Sequence, residues 1–287
     1  MELGRVGIWS GQLRRADPSA ITEAAAELDE LGFGTIWIPG GHGGDVFGDV
    51  ARLLAATTKA TVATGILNVW MHTPEDTAAG HAALTGKHPG RFLLGLGVSH
   101  EPAVTNSGQI YARPLAKMRD FLDALDAASP PVPAGERMLA ALGPRMLELA
   151  RDRTAGAHPY LVTPAHAATA RTVLGDGPLI ATEVMVVLDD DPEQARAIAR
   201  QHLSRYMVLP NYTNNFLRLG FTEDDLLDGG SDRLVDGVIA WGDLDAIAAR
   251  VGEHHAAGAD HVCIQVLQTD AAALPRDAWR RLADVML

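Results

Sequence analysis

The chain has 287 residues, of which 47% are hydrophobic and 21% charged, so we expect residues 1–287 to form a single domain with a large apolar core. The formal net charge of −12 argues against a nucleic-acid partner, because an acidic surface repels the phosphate backbone. A lone cysteine excludes a disulfide within the chain, and no signal-peptide or membrane-spanning pattern is present, so we expect no membrane partner and a cytoplasmic location.

The first part of the chain alternates between strand-like and helix-like segments. A short apolar strand at residues 4–9 precedes Asp17, which is a favourable N-cap residue for a helix. This helix is expected to end at Gly32, because glycine readily adopts the left-handed conformation that closes a helix. A second strand at 35–38 leads into the glycine-rich loop 40–44, which is either a lid or a plain solvent loop.

Two consecutive strand-like segments, residues 61–74 and 89–100, each contain an apolar run that ends in small residues and is followed by polar and imidazole side chains. A parallel α/β barrel presents its active site in this way, since the carboxyl ends of its strands meet at one face. Between the two segments, a helix is expected to begin at Pro74 after the N-cap residue Thr73. The pair therefore indicates both an architecture and the place to look for chemistry.

The second half of the chain repeats the pattern of a strand followed by a helix. Strands are expected at residues 138–142, 160–162, 180–188 and 259–267. Helices are expected to begin at Pro144, Pro164, Pro192 and, for the last full helix, Asp243. Asp191 and Gln194 have the spacing of a capping box. Segment 209–231 interrupts the seventh unit, and it is either a lid or an additional packing helix or dimer contact.

Eight strand–helix units can be counted from end to end. Repeated strand-then-helix order implies a parallel sheet with right-handed crossovers. Eight units favour a closed (β/α)8 TIM barrel over an open sheet, with the insertion in its seventh unit.

Five motifs carry a resemblance to a known family. They read LGFGTIW at 31–37, ATGILN at 63–68, PGRFLLGLGV at 89–98, LGPRMLELA at 142–150 and GDLDAI at 242–247. In this order and at barrel spacing, they make the chain similar to the luciferase-like monooxygenase superfamily, and within it to the actinobacterial branch that uses the deazaflavin coenzyme F-420. The resemblance implies a luciferase-like barrel with the cofactor at its C-terminal mouth.

The resemblance also implies a non-prolyl cis peptide bond at the end of the third strand, which contacts the ring of the cofactor. The matching bond joins Gly65 and Ile66. A phosphate-binding turn is implied after the fifth strand, where glycine allows close approach and the helix N-terminus offers unpaired amides. A plain turn with proline at the first helical position is the alternative. The residues of this turn are Gly143, Pro144, Arg145 and Met146.

Further side chains are expected to converge on the mouth. The predicted cofactor-binding residues are Asn68, Gly97, Val98, Ser99, His158 and Tyr160, and the predicted substrate-pocket residues are Trp70, His72, Tyr212 and Phe216. The amide of Asn68 suits the polar edge of a flavin-like ring, although a turn role is the alternative. For His158 and Tyr160 a structural hydrogen bond is the safer interpretation, and for Trp70 ordinary barrel packing is the alternative.

His100 is the first choice for the catalytic group. The resemblance implies an acidic or imidazole group here, and histidine can donate or accept a proton near neutral pH. A histidine that only hydrogen-bonds the cofactor ring is the equal alternative. Many deazaflavin-dependent relatives have Asp-His after strand two, where this chain has Gly40 and Gly41. Either His42 takes that catalytic role from the next position, or the role has moved to His100, or the activity is lost.

Three functional hypotheses follow. The leading one is an F-420-dependent oxidoreductase that transfers hydride between the deazaflavin and a small organic substrate, and the resemblance implies a homodimer. The alternatives are an FMN-dependent luciferase-like monooxygenase and a non-catalytic cofactor-binding barrel. No metal site is expected, because Trp9-Ser10-Gly11 stands where a metal-dependent hydrolase barrel has His-x-His.

Overall fold

Parallel strands joined by helices close into a barrel in the computed structural model, which describes residues 2–41 and 44–287. The described strands are β1 (Val6–Trp9), β2 (Thr35–Gly40), β3 (Thr61–Asn68), β4 (Phe92–Gly97), β5 (Arg137–Leu139), β6 (Gly156–Ala157), β7 (Leu179–Val187), β8 (Ile239–Trp241) and β9 (His261–Val266). The strands β1 to β7 pair in sequence order, and β9 closes the ring between β7 and β1. The eight-stranded parallel barrel predicted from the sequence is confirmed.

Helices follow the strands and cover the outside of the barrel. The described α-helices are α1 (Pro18–Leu31), α2 (Val46–Ala56), α3 (Pro74–Lys87), α4 (Glu101–Asn106), α5 (Pro114–Ala127), α6 (Pro144–Arg153), α7 (Pro164–Leu174), α8 (Pro192–Leu203), α9 (Pro210–Arg218), α10 (Asp232–Val238), α11 (Leu244–Ala256) and α12 (Arg276–Met286). Short 3-10 segments lie at Gln12–Arg14, Ala134–Glu136 and Asp224–Gly229. Among the described residues, no helix has the length and apolarity that a bilayer crossing requires.

The predicted caps of the helices are confirmed where the side chains dictate them. Asp17 accepts a hydrogen bond from Ser19 N at 2.9 Å, and Gly32 closes α1 with φ of 99°. Thr73 Oγ1 accepts from Asp76 N at 3.0 Å at the start of α3. Local sequence fixes these boundaries, because each cap needs only residues within one turn of the helix end.

Four details of the second half differ from the sequence predictions. The fifth strand ends at Leu139, the sixth strand lies at Gly156–Ala157 rather than 160–162, and α12 follows the helix predicted to be the last. Leu161 has left-handed φ and its N–H donates to the side chain of Glu183, so the segment at 160–162 has left the sheet. Asp191 caps α8 and accepts from Gln194 N at 3.3 Å, but the reciprocal half of the capping box does not form, because Asp191 N donates to Asp189 Oδ1 at 3.0 Å.

The ninth strand has a topological cause. β6 pairs only with the first two residues of β7, which leaves the upper part of β7 open on that side. β8 pairs there with Met185, Val186 and Val187. The insertion between α8 and α11 therefore returns to the sheet before the chain reaches β9.

Large side chains fill the interior of the barrel. Trp9, Trp37, Leu93, Met138 and Cys263 pack together inside the ring of strands. Cys263 is a free, buried thiol, and burial raises its pKa well above the usual range, so it is a packing residue as predicted. A second layer of apolar side chains lies between the barrel and the helices.

The N-terminal rim of the barrel is closed by charged side chains with full sets of partners. Asp29 accepts hydrogen bonds from Thr58 N at 2.8 Å, Lys59 N at 3.0 Å and Ala60 N at 2.6 Å. Burial of this carboxylate opposes ionisation, but the donors outweigh it and lower its pKa. Arg91 donates to the carbonyls of Thr57 at 3.0 Å and Ala60 at 3.1 Å. These bonds hold the entries to β3 and β4.

Candidate active site

The peptide bond between Gly65 and Ile66 is cis, as predicted. It lies near the end of β3, at the C-terminal mouth of the barrel, and both residues are partly exposed. Gly65 O accepts a hydrogen bond from Trp9 Nε1 at 3.1 Å. A Cβ on residue 65 would lie 2.5 Å from Trp9 Nε1 and 3.0 Å from His158 Nε2, so this position requires glycine.

The exit of β4 packs directly against this bond. A Cβ on Gly97 would lie 2.6 Å from Cδ1 of Ile66, so the side chain of Ile66 occupies the space that the glycine leaves. Val98 O accepts from Trp70 Nε1 at 2.9 Å, and Ser99 turns the chain with φ of 55°. The predicted residues of β3 and β4 therefore lie side by side at the mouth.

Asn68 is buried and bonded within the chain. Its Oδ1 accepts from Trp70 N at 3.0 Å, and its Nδ2 donates to Gly41 O at 3.2 Å. The amide thus ties the turn after β3 to the loop after β2, which is the turn role, and cofactor binding by Asn68 stays a prediction. Trp70 is partly exposed and packs against Tyr111, with ring centroids 5.8 Å apart.

His100 stands at the N-cap position of α4, directly after Ser99. Its Nδ1 lies 2.9 Å from Asn211 Oδ1. A carboxamide oxygen only accepts, so in the neutral imidazole this contact places the proton on Nδ1 and makes Nε2 the acceptor. The ring of His100 also lies 5.4 Å from that of Tyr212. Helix α9 therefore brings two residues of the insertion to the predicted catalytic histidine.

Four aromatic side chains line one side of the mouth, and we call them the aromatic wall. They are Trp9, Tyr160, Tyr206 and Tyr212, with successive ring centroids 5.6, 5.8 and 4.9 Å apart. The hydroxyl of Tyr160 donates to Gln265 Oε1 at 2.8 Å and lies 2.9 Å from the hydroxyl of Tyr206. The aromatic wall runs from Trp9, which donates to Gly65 O, to Tyr212, which contacts His100.

A buried carboxyl group lies behind this wall. Glu183, on β7, is fully buried, and its Oε2 accepts from Leu161 N at 3.0 Å. Its Oε1 has no hydrogen-bond partner among the described residues. Burial raises the pKa of Glu183 to about 8, so the carboxyl is mostly protonated at neutral pH.

Sequence reasoning missed Glu183, Gln265, Asn211, Tyr206 and Trp9 as parts of the mouth. Glu183 and Gln265 were detectable in principle, since each is a polar residue inside an apolar run that forms a buried strand. Asn211 and Tyr206 carried no such signal, because only the path of the insertion over the barrel brings them to the mouth.

Other predicted residues lie deeper or further away. His158 is buried, stacks on Trp37 at 4.4 Å and has Nδ1 2.8 Å from Ala181 O; burial lowers its pKa to about 4. This is the structural hydrogen bond that the sequence favoured. His72 is partly exposed beside Phe47, with ring centroids 6.3 Å apart. Phe216 is fully buried in the core of the insertion. His42 lies outside the described residues.

The predicted phosphate turn has an open helix N-terminus. Helix α6 begins at Pro144, and no side chain caps it at Gly143. Arg145 is exposed, and Met146 N donates to Gly143 O at 3.1 Å. A Cβ on residue 143 would meet no atom within 4 Å, so packing does not explain the glycine, and there is room for an anion before the helix. These features fit a phosphate group.

Within residues 2–41 and 44–287, no three histidine, cysteine or acidic side chains are grouped so as to hold an ion. The mouth is built from the aromatic wall and the imidazole of His100, with the buried carboxyl of Glu183 behind the wall.

Comparisons with known proteins agree with this architecture. The model of the family described as luciferase-like monooxygenase matches residues 3–261, from before β1 to the start of β9. The chain belongs to this family, and the oxidoreductase class predicted from its sequence is confirmed.

Individual relatives share the whole length of the chain. A protein of Mycobacterium tuberculosis, provisionally named a coenzyme F-420-dependent oxidoreductase, is 25% identical over 96% of this chain and 97% of its own. A solved F-420-dependent secondary alcohol dehydrogenase in complex with an F-420–acetone adduct superposes with a TM-score of 0.73 at 14% identity, covering 99% and 98% of the two chains. An FMN-bound type II Baeyer–Villiger monooxygenase from Pseudomonas putida gives 0.71 at 16% identity, covering 97% and 95%. The last two similarities concern the fold alone.

Proposed function

We propose that this protein is an oxidoreductase that depends on coenzyme F-420 and transfers hydride between the deazaflavin and a small organic substrate. The observation that carries the proposal is the mouth itself. His100, with its Nδ1 bonded to Asn211, stands beside the aromatic wall, and the uncapped start of α6 provides an anion site. The relative from Mycobacterium tuberculosis supports the choice of cofactor.

In this proposal, different residues of the chain bind the cofactor, transfer a proton and exclude water. The deazaflavin supplies the two-electron hydride chemistry when it is bound. Ile66, whose side chain packs on Gly97, would form the surface for its ring, and Gly143 to Met146 would hold the phosphate. His100 accepts or supplies a proton at Nε2, because the contact with Asn211 reserves Nδ1. The aromatic wall excludes water from this space.

FMN is the competing cofactor. The solved FMN-bound monooxygenase has the same fold, and the flavin ring makes the same demands on the mouth. A phosphate at the start of α6 suits either molecule. Binding therefore has to be measured with both.

The direct test is a fluorescence and absorbance titration of the purified protein with F-420 and, in parallel, with FMN. We expect saturable binding of F-420 with a Kd of about 1 μM or below, and no saturation with FMN. Binding of FMN alone would move the protein to the monooxygenase branch. Binding of neither would reject both proposals and leave the non-catalytic barrel.

A variant at the phosphate turn sharpens the titration. Gly143→Val fills the open space before α6, where a Cβ would meet no neighbour within 4 Å, so folding should be preserved. We expect its affinity for F-420 to fall at least about tenfold, which is about 1.4 kcal/mol. Gly177→Val is the matched control, since residue 177 is exposed and equally free of neighbours. Equal affinities of the two variants would contradict the phosphate role of the turn.

A further inference from the structure

A cavity of about 290 Å³ lies outside the barrel, between α6, α7 and α9. We call it the α9 pocket. Its apolar lining includes Leu147, Val173 and Leu219, and its polar lining includes His166, Asn215 and Arg218. The volume is at the lower limit of about 300 Å³ for pockets that hold small molecules. The pocket is separate from the aromatic wall and from His100.

Two buried polar atoms at this pocket have no partner among the described residues. They are His166 Nε2 and Asn215 Nδ2. His166 is 2% exposed and Asn215 is 1% exposed. A buried polar atom without a partner destabilises the fold, so each of these atoms is ready to gain from a ligand.

The charge around the pocket favours an anion. Arg218 Nη2 donates to Asn215 Oδ1 at 3.2 Å, which leaves the Nδ2 donor of the amide for a ligand. None of the residues that line the pocket is acidic. Burial and the charge of Arg218 lower the pKa of His166 to about 4, despite a bond to the Ala141 carbonyl, so the imidazole is neutral at pH 7. The positive charge of the pocket therefore comes from Arg218.

We propose that the α9 pocket binds a small organic anion, whose carboxylate or phosphate accepts hydrogen bonds from Asn215 Nδ2 and the guanidinium of Arg218 while its apolar part contacts Leu147, Val173 and Leu219. His166 gains a proton when the anion binds, because a neighbouring negative charge favours the imidazolium. Arg218 from α9 opposes the protonation of His166, and His166 in turn lowers the pKa of His254 on α11.

Helix α9 contributes residues both to the α9 pocket and to the mouth of the barrel. Asn215 follows Asn211, the partner of His100, by four residues, which is about 6 Å along a helix. An occupant of the pocket therefore contacts the element that orients His100. Two sources have the required chemistry: a separate organic anion, and the anionic tail of the bound cofactor.

The first experiment uses sodium benzoate and inorganic phosphate as probes and follows the side-chain ¹⁵N signals of His166, assigned with a His166→Asn variant. We expect at least one probe to shift these signals saturably, with a Kd of about 1 mM or below. The affinity should rise as the pH falls from 8 to 6, because binding takes up a proton. Absence of a saturable shift with both probes, or a pH-independent affinity, would overturn the proposal.

Two variants and a matched control locate the binding. Asn215→Leu and Arg218→Gln should each weaken the probe at least about tenfold, equal to about 1.4 kcal/mol. Arg119→Gln removes the same charge from an exposed side chain of α5 outside the pocket and should leave the affinity unchanged. Equal affinities in all three variants would place the probe elsewhere. Thermal unfolding of each variant confirms that it is folded, and if Asn215→Leu does not fold, Arg218→Gln still decides.

The second arm repeats the titration with saturating F-420. Displacement of the probe would assign the pocket to the tail of the cofactor, and simultaneous binding would assign it to a separate anion. The first arm needs no cofactor, so a failure of the pocket and a failure of the proposed function are distinguishable.

Discussion

Two buried carboxyl groups, those of Asp29 and Glu183, differ in how fully their oxygens are hydrogen-bonded. At the N-terminal rim, the carboxylate of Asp29 accepts bonds from three backbone amides and from the hydroxyl of Thr58. At the C-terminal side, the carboxyl of Glu183 receives one backbone amide, and its second oxygen has no partner in the described part of the chain. Donors lower the pKa of Asp29 against the effect of burial, whereas burial raises the pKa of Glu183 to about 8.

The difference in hydrogen bonding between Asp29 and Glu183 distinguishes a group that stabilises the fold from one that is retained for another role. Satisfied polar groups stabilise a fold, while unsatisfied buried ones cost stability and persist where another role retains them. In a parallel barrel the N-terminal face is the stabilising one and the C-terminal face carries the chemistry. Substitutions at the two rims should therefore change different measured quantities.

The largest effect is expected for His100→Ala, which should lower turnover by about 10²–10⁴-fold because it removes the proposed proton donor or acceptor. Affinity for F-420 and the free energy of unfolding should stay nearly constant, since the side chain is partly exposed. The measurement is hydride transfer in a single turnover, with Asn211→Ala as a milder variant that releases Nδ1. Unchanged turnover would reject the proton-transfer role.

Glu183→Gln should be more stable than the wild type at high pH. The folded-state pKa of Glu183 is raised from 4.5 to about 8, so the folded protein binds more protons than the unfolded one in this interval. The contribution of Glu183 to the free energy of unfolding therefore falls as the pH rises from 4.5 to about 8 in the wild type, and this fall is absent in the variant. At pH 8 we expect the variant to be about 2–4 kcal/mol more stable in urea unfolding.

The exposed Glu148 on α6 supplies the control for this experiment. Glu148→Gln should leave the pH dependence of stability as it is in the wild type. A Glu183→Gln protein with the same dependence as the wild type would show that this carboxyl is ionised in the fold, and the contrast between the rims would fail.

Asp29→Asn should destabilise the protein by about 2–3 kcal/mol at pH 7, because an amide nitrogen cannot accept the bonds that the carboxylate receives. The pKa of Asp29 is lowered below 3.8, so its contribution is present above that pH and is lost as the pH falls through the folded-state value. Urea unfolding at neutral and acidic pH measures both effects. Affinity for F-420 should not change, and the exposed Asp176→Asn serves as the control.

The smallest effect on stability is expected for Gly97→Ala, at about 1–2 kcal/mol. The added methyl group would lie 2.6 Å from Ile66 Cδ1 and would push that side chain into the mouth. Affinity for the cofactor should fall as well. Gly86→Ala, in α3 with no atom within 4 Å of the new Cβ, is the matched control and should not destabilise. Wild-type affinity in Gly97→Ala would place the ring elsewhere.

Much of the barrel was predictable because its rules are local. The N-caps at Asp17 and Thr73 and the end of α1 at Gly32 follow from residues within a single turn. The paired motifs of β3 and β4 predicted both strands, and the family resemblance implied the cis bond between Gly65 and Ile66. The apolar composition of segment 160–162 predicts a strand, which is wrong, because the backbone N–H of Leu161 donates to the side chain of Glu183.

The sequence by itself determined the order of strands and helices, the closed barrel and the face at which to look for chemistry, because hydrophobic period and caps act over a few residues. Tertiary structure alone decided that Asn211 meets His100 across 111 positions, that Glu183 is protonated, and that the α9 pocket exists. These outcomes depend on how far β6 extends along β7 and on where the insertion crosses the mouth. Long-range packing sets both, and no local pattern encodes them.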